Sequence, residues 1–344
     1  MKFLIFALPV LMFANACSNK PKTVDGFTVL KGKTMGAGYE IAYDSAIDLK
    51  ENIEYTLGYY NYLMSTYDSN SIISRFNNNR MLSVSDSVSF VKSRRYFVQL
   101  DSLSRKIHQE SGGAFNPGLA ALMNYWGFGE NKQNPENADR LQTDSLKALS
   151  FGFLVDFKGR KPAKADPRQK LNFNAIAPGQ AADIIADLFD SVYRFKNYYI
   201  NISGEIRARG NNSRDSYWPI KIEKPMINSP KQIEYCTVPL KNYSLATSGN
   251  YRQFFFSKGK RYGHSIDPRS GIPARNELLS ATILAPTAAE ADAYATACMV
   301  LGLEKAIALI EKNPMLKAFF IYEKDEKLSH WASPNLSFVL KTNS

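Results

Sequence analysis

The sequence predicts an α+β fold, one integrated domain on a mixed sheet with helices around it, and three observations predict it. Amphipathic helical stretches are interspersed with short β-branched or aromatic runs that do not alternate strictly between apolar and polar. About 320 residues follow the N-terminal segment, enough for one large domain or two small ones. No fixed repeat, low-complexity tract or linker rich in Gly, Ser or Pro divides them, so one domain is the default.

The first element stands outside that fold. Phe3 to Phe13 holds only apolar residues and one proline, behind Met1-Lys2 and ahead of Ala14-Asn15-Ala16-Cys17. A spanning helix needs about 20 apolar residues, so residues 1–16 read as a cleaved secretory signal peptide. A cysteine at that point resembles the lipobox of bacterial lipoproteins, although Ala14 stands where Leu is commoner. Acylation of Cys17 is therefore expected, giving an exported, membrane-anchored lipoprotein facing the periplasm; the plainer alternative is cleavage and release. Ser18 to Asp25 reads as a solvated spacer, which makes 17–25 a tether and 26–344 the folded domain.

Within the body, Ser45 to Met64 opens on a Ser45…Asp48 capping pair and carries Ile53, Leu57, Tyr60 and Met64 at helical spacing. A second long helix fits Ser87 to Gln109, and a third runs from about Gly179 to Phe189 after the Pro178-Gly179 break. Strands are predicted at Tyr198–Ile202, Tyr217–Ile222, Ile233–Val238, Tyr251–Phe256 and Ala281–Leu284. A last helix starts at the capping box Thr287-Ala288-Ala289-Glu290 and ends near Gly302.

The formal charge of +11 attracts anions, and export argues against nucleic acid as the partner. The densest basic run, Lys158, Arg160, Lys161, Lys164, Arg168 and Lys170, is broken by Pro162 and Pro167 and reads as a solvated loop, with contact to lipid head groups as the weaker alternative. Cys236 and Cys298 do not make a cysteine framework, and a bridge between them is disfavoured.

The residues that could carry chemistry fall in a few places. Asp292 and Thr296 lie four apart and project from one helix face, where two hard oxygens suit Mg²⁺; the plain alternative is that Asp292 only complements the helix dipole. Tyr262 to Gly271 gathers His264, Asp267 and Arg269 in a turn-rich loop, and His264 could act as a general base or be merely structural. Ser111 to Gly118 is a glycine-containing turn that lets backbone approach a ligand closely. Tyr67 could stack on a flavin or purine, or be a half-buried core aromatic. Gly36-Ala37-Gly38 is followed by Ile41 where a dinucleotide fingerprint needs its third glycine, and no Walker loop is present.

These segments occur together in one order, and that order resembles the family of FAD:protein FMN transferases, once described as thiamine-biosynthesis lipoproteins. The blocks are Thr34-Met35-Gly36, Met64-Ser65-Thr66-Tyr67 with Ser71 to Asn77, Gly113 to Pro117 with Trp126-Gly127-Phe128, and Ala175 to Gly179 with Asp183. Asn201 to Ile206, Thr247 to Tyr251, His264 to Gly271, and Ala291-Asp292-Ala293 with Thr296 complete the order. The resemblance implies a largely antiparallel sheet and FAD as substrate, cut so that FMN passes to a Thr or Ser hydroxyl of an acceptor flavoprotein, such as a subunit of a membrane redox complex. It implies Mg²⁺ held by Asp292, Thr296 and the carbonyl of Ala175. It further implies an FAD pocket lined by Met35, Tyr67, Ala114, Phe115, Asn116, Asn172, Pro178 and Ile266. His264 would be the base, with Asp267 shaping its loop.

Three positions depart from the family pattern: Asn116 and Asn172 stand where Asp is common, and Pro178 where Lys is common. Asn keeps hydrogen-bonding capacity, but Pro178 offers a phosphate neither a cation nor an N–H; Arg252 and Arg269 are candidate substitutes. The competing readings are an FAD pyrophosphatase that yields FMN and AMP, a non-catalytic flavin-binding lipoprotein, and a serine hydrolase built from Ser248, His264 and Asp267. The last lacks a nucleophile elbow around Ser248.

Overall fold

The structure, a computed structural model, describes residues 22–80, 84–129, 139–150, 155–157, 162–226, 233–250, 254–257 and 260–340. The signal peptide, Cys17, Arg252, Lys158, Arg160 and Lys161 lie outside these.

The chain begins with β1 (Lys22–Val24), β2 (Phe27–Thr34) and β3 (Ala37–Tyr43), then turns helical in α1 (Lys50–Met64), α2 (Ile72–Asn77), α3 (Val84–Glu110), α4 (Ala120–Tyr125) and α5 (Arg140–Ser150). The short pair β4 (Val155–Asp156) and β5 (Ala163–Lys164) precedes α6 (Ala177–Leu188). A strand-rich stretch follows: β6 (Tyr198–Ile202), β7 (Glu205–Arg209), β8 (Trp218–Glu223), β9 (Glu234–Leu240) and β10 (Ser244–Gly249). Two small ribbons come next, β11 (Phe254–Ser257) with β12 (Lys260–Gly263), and β13 (Ile266–Asp267) with β14 (Ile272–Pro273). The end of the chain supplies β15 (Leu278–Ala285), α7 (Ala288–Leu301), α8 (Leu303–Glu311), β16 (Lys317–Lys324), β17 (Lys327–Ala332) and β18 (Val339–Leu340).

Nine strands form one sheet in the order β1-β2-β3-β6-β7-β10-β15-β16-β17, and β18-β9-β8 form a second. Every pairing between described strands is antiparallel, within the α+β class the sequence predicts. The central strands have helices on one face and the small sheet on the other. Ala246, Ile283 and Phe320 join the helical core, while Leu245, Leu284 and Phe319, their chain neighbours, join the core under β8 and β9. That two-sided burial explains the missing alternation: all eight residues of β15 are buried. Helix α7 is apolar nearly all round for the same reason, being enclosed by β10, β15, α3 and α6.

Where α6 crosses α7, a methyl group on Gly179 would stand 2.4 Å from the Ala288 carbonyl oxygen, so only glycine allows this approach. Gly179→Ala is accordingly expected to destabilise the fold by on the order of 3 kcal/mol, as overpacking between backbones does. Its melting temperature, compared with that of an alanine substitution at Gly58, where nothing lies within 4 Å, checks this.

Three sequence expectations are corrected. The first helix begins at Lys50 rather than Ser45, because the buried Tyr43 hydroxyl donates to the Ile47 carbonyl at 2.6 Å and accepts the Leu49 N–H at 3.2 Å, holding that stretch as a turn. The stretch read as a spacer already contains β1, which pairs with β2 through Lys22↔Val29. The basic run is anchored at Lys164, whose Nζ lies over the Phe76 ring and donates to Asn79 Oδ1 at 2.9 Å; burial, then the neighbouring Lys170, lowers its pKa to about 8. In the same run Arg168 pairs with Asp166 at 2.7 Å. Cys236 and Cys298 are both free thiols, one on β9 and the other on α7.

Candidate active site

A cavity of about 610 Å³ opens where the β6–β7 hairpin, β8, the end of β10, one face of α7, the 114–119 turn and the 264–266 loop converge. Its size suits a cofactor-sized ligand.

Helix α7 supplies the polar floor, and its register is fixed at its N-terminus. Thr287 Oγ1 accepts the Glu290 N–H at 3.2 Å, as the capping box predicts. From α6, Asp183 reaches across to accept the N–H groups of Ala288 at 2.8 Å and Ala289 at 2.9 Å. Burial raises the Asp183 pKa to about 6 against the lowering effect of those two bonds. One turn on, Asp292 is 5% exposed and lines the cavity, accepting the Gly179 N–H at 3.3 Å. Burial pushes its pKa up to about 7; the Gly179 bond opposes the rise and the Asp183 charge adds to it. Thr296 Oγ1 lies 3.3 Å from Ser248 Oγ, and Ala175 lines the same cavity.

No group of three or more His, Cys, Asp or Glu side chains able to hold a metal occurs among the described residues. The donors gathered around α7 on the cavity floor, Asp292, Thr296, Ser248 and the Ala175 backbone, are instead carboxylate, hydroxyl and carbonyl oxygens. Such a set fits a hard cation that keeps positions for water and phosphate, and does not fit a thiolate- or imidazole-bound metal. One enclosed carboxyl oxygen on the cavity wall, Glu205 Oε2, has no hydrogen-bond partner, which is the condition a cation relieves.

The opposite wall is apolar and aromatic. Ala114, Phe115 and Ile266 are buried there, and Tyr67, 77% exposed, stands at the rim rather than in the core. Asn116 caps a short 3₁₀ turn: its Oδ1 accepts the Gly118 N–H at 2.7 Å and its Nδ2 donates to the Ser150 carbonyl at 2.7 Å. A carboxylate could make the first bond only. Asn116→Asp is thus expected to cost about 2 kcal/mol at neutral pH, with recovery in acid where the introduced carboxyl can donate; melting curves at pH 7 and pH 3 check it. Asn172 also lines the cavity and makes local bonds, accepting the Asn174 N–H at 2.8 Å.

His264 lines the cavity with its ring set edge-on to Phe128 at 6.5 Å. Its loop is held from two sides. Trp126 Nε1 donates to the Gly271 carbonyl at 2.8 Å, and Asp267 accepts from Arg269 at 2.7 and 2.8 Å, closing the turn. That pairing occupies the Arg269 guanidinium, and neither it nor Asp267 lines the cavity. Met35, at φ 51° in the β2–β3 turn, and Pro178, in the first turn of α6, also stand outside the lining. Conversely, Glu205, Ser203, Ser248 and Lys221 line it without having been assigned a binding role from the sequence. The block Asn201 to Ile206 was the available signal for the first two. Lys221, on a strand outside the main sheet, had none.

A sequence profile described as the ApbE family matches residues 35–320. The FAD:protein FMN transferase of Haemophilus influenzae is 33% identical over 323 residues, covering 90% of this chain and 89% of that protein. Its Escherichia coli K12 counterpart is 30% identical over 349 residues, covering 97% and 96%. Among solved structures, the flavin transferase ApbE from Vibrio cholerae superposes with a TM-score of 0.73 at 30% identity, covering 90% of this chain and 97% of that one. The apo flavinyl transferase ApbE of Pseudomonas stutzeri gives a TM-score of 0.73 at 30% identity, covering 90% and 95%.

Proposed function

The chain belongs to the ApbE family, and from that premise we propose that it is an FAD:protein FMN transferase, cutting the FAD pyrophosphate and placing FMN on a Thr or Ser hydroxyl of an exported or membrane redox protein, with release of AMP. The observation that carries this reading is the shared cavity, with Asp292 and Thr296 on its floor, His264 at one side and a flavin-sized apolar wall ending at Tyr67. Asp292 and Thr296, with the Ala175 carbonyl, would hold Mg²⁺, which when bound neutralises charge on the phosphates.

The remaining work falls to the chain itself. Phe115, Ala114 and Ile266 exclude water from one side of the ligand, and Tyr67 offers a rim ring for stacking. The acceptor hydroxyl oxygen bonds to the phosphorus of the FMN half as the bond from that phosphorus to the bridging oxygen breaks. AMP leaves with the bridging oxygen, and the hydroxyl proton passes to His264. Asp267 acts on His264 only through the loop it closes with Arg269.

Cys17 supplies the proposed membrane anchor and the periplasmic location. No helix among the described residues is long and apolar enough to cross a membrane, so on this reading the lipid is the attachment. The test is incubation of the mature protein with FAD and Mg²⁺, with and without an acceptor domain, read by nucleotide chromatography and intact mass. AMP release with an FMN-sized mass gain on the acceptor is expected. Free FMN with AMP would replace the reading with a pyrophosphatase, and intact bound FAD would replace it with a flavin-binding protein.

A further inference from the structure

The β6–β7 hairpin closes on a two-residue turn, Ser203-Gly204, with both residues in the left-handed region at φ 61° and 110°. Serine is uncommon in that conformation, and such strain is kept where neighbours hold it in place. Here the Asn201 side chain does so by accepting the Gly204 N–H at 3.0 Å. Both residues flanking Gly204 line the cavity, and each carries an enclosed oxygen, Ser203 Oγ and Glu205 Oε2, that has no hydrogen-bond partner. Enclosed polar atoms are nearly always paired, so two orphans in one turn mark a place that a ligand completes.

Glu205 is the more demanding of the two. It opens β7, the strand against which α7 packs, and it lines the same cavity as Asp292. Two carboxyl-bearing residues lining one cavity, with no fixed cation bonded to the enclosed oxygen, form an arrangement that a divalent cation satisfies directly. We propose that Glu205 is an additional oxygen ligand of the divalent cation at Asp292 and Thr296, so that the site is closed from the sheet side as well as from the helix. This rests on the cation reading given above. Ser203 Oγ would then face the water or phosphate oxygens that complete the shell.

The test uses the full mature protein and Mn²⁺ alone, with binding followed by loss of the free-ion EPR signal. Glu205→Gln keeps the shape and removes the charge. It is expected to weaken Mn²⁺ binding by about 10-fold to 100-fold, the range that supporting residues of metal sites reach. The metal-free melting temperature should stay at or above that of the unsubstituted protein, because an enclosed unpaired carboxyl has been removed; a merely structural glutamate would lower it. Glu205→Ala serves as the second variant, with the same loss of affinity expected. Unchanged Mn²⁺ affinity in Glu205→Gln, beside a loss in Asp292→Asn, overturns the proposal and leaves the cation site standing. Unchanged affinity in both removes the cation site and the proposal with it.

Discussion

Replacing Asp292 with asparagine should lower FMN transfer about a thousandfold, the rate equivalent of roughly 4 kcal/mol of lost charge stabilisation at the phosphates. Steady-state AMP release measures it, and a loss smaller than tenfold would remove Asp292 from the metal site. Stability should move the other way. Because burial raises the Asp292 pKa to about 7, the metal-free folded protein keeps a proton that the unfolded chain has already lost. The benefit of that neutral carboxyl is complete below about pH 4 and is lost as pH rises through 7. The Asp292→Asn substitution mimics the neutral form at every pH. It therefore predicts a metal-free protein that melts above the unsubstituted one at pH 8, with the advantage vanishing toward pH 4. Chelator-treated samples melted across that range decide the matter.

The second large effect is expected from His264→Asn. A general base typically contributes 10²-fold to 10⁴-fold, and the loss should fall on turnover. FAD and metal affinity should be nearly unchanged, since on this reading His264 holds neither. The pH dependence of turnover that a titrating base imposes should disappear in the variant. Transfer at the unsubstituted rate would mean that the acceptor proton leaves by another route.

What could be read in advance followed the strength of local signals. The capping box at Thr287 and the helical phase of Asp292 and Thr296 are short-range features, and both are present on α7. The Ser45…Asp48 pair had the same local form but lost to Tyr43, a tertiary partner that no local pattern contains. Strands β2 and β7 gave weak signals because Lys31, Gly32 and Lys33 interrupt β2 and the charged Glu205, Arg207 and Arg209 alternate through β7. Asp183 stood in a motif block, yet its function as a cap for a helix more than a hundred residues away needed coordinates. The orphan oxygens of Ser203 and Glu205 were equally beyond the sequence, since an absent partner is a property of packing.

The amino end of α7 has a consequence for how an anion is received. A free helix start offers amides to phosphate, but here Asp183 takes two of them, the Thr287 hydroxyl takes a third, and the Thr287 carbonyl accepts from Ala291. That doorway is shut by an internal negative charge. On the proposed reading, a pyrophosphate at the floor of the cavity meets the carboxyl groups of Asp292 and Glu205 instead of those amides, and a divalent cation that displaces their protons would reconcile the two. Ion loading would then come before productive seating of the pyrophosphate, so the order of binding becomes a property of the helix start.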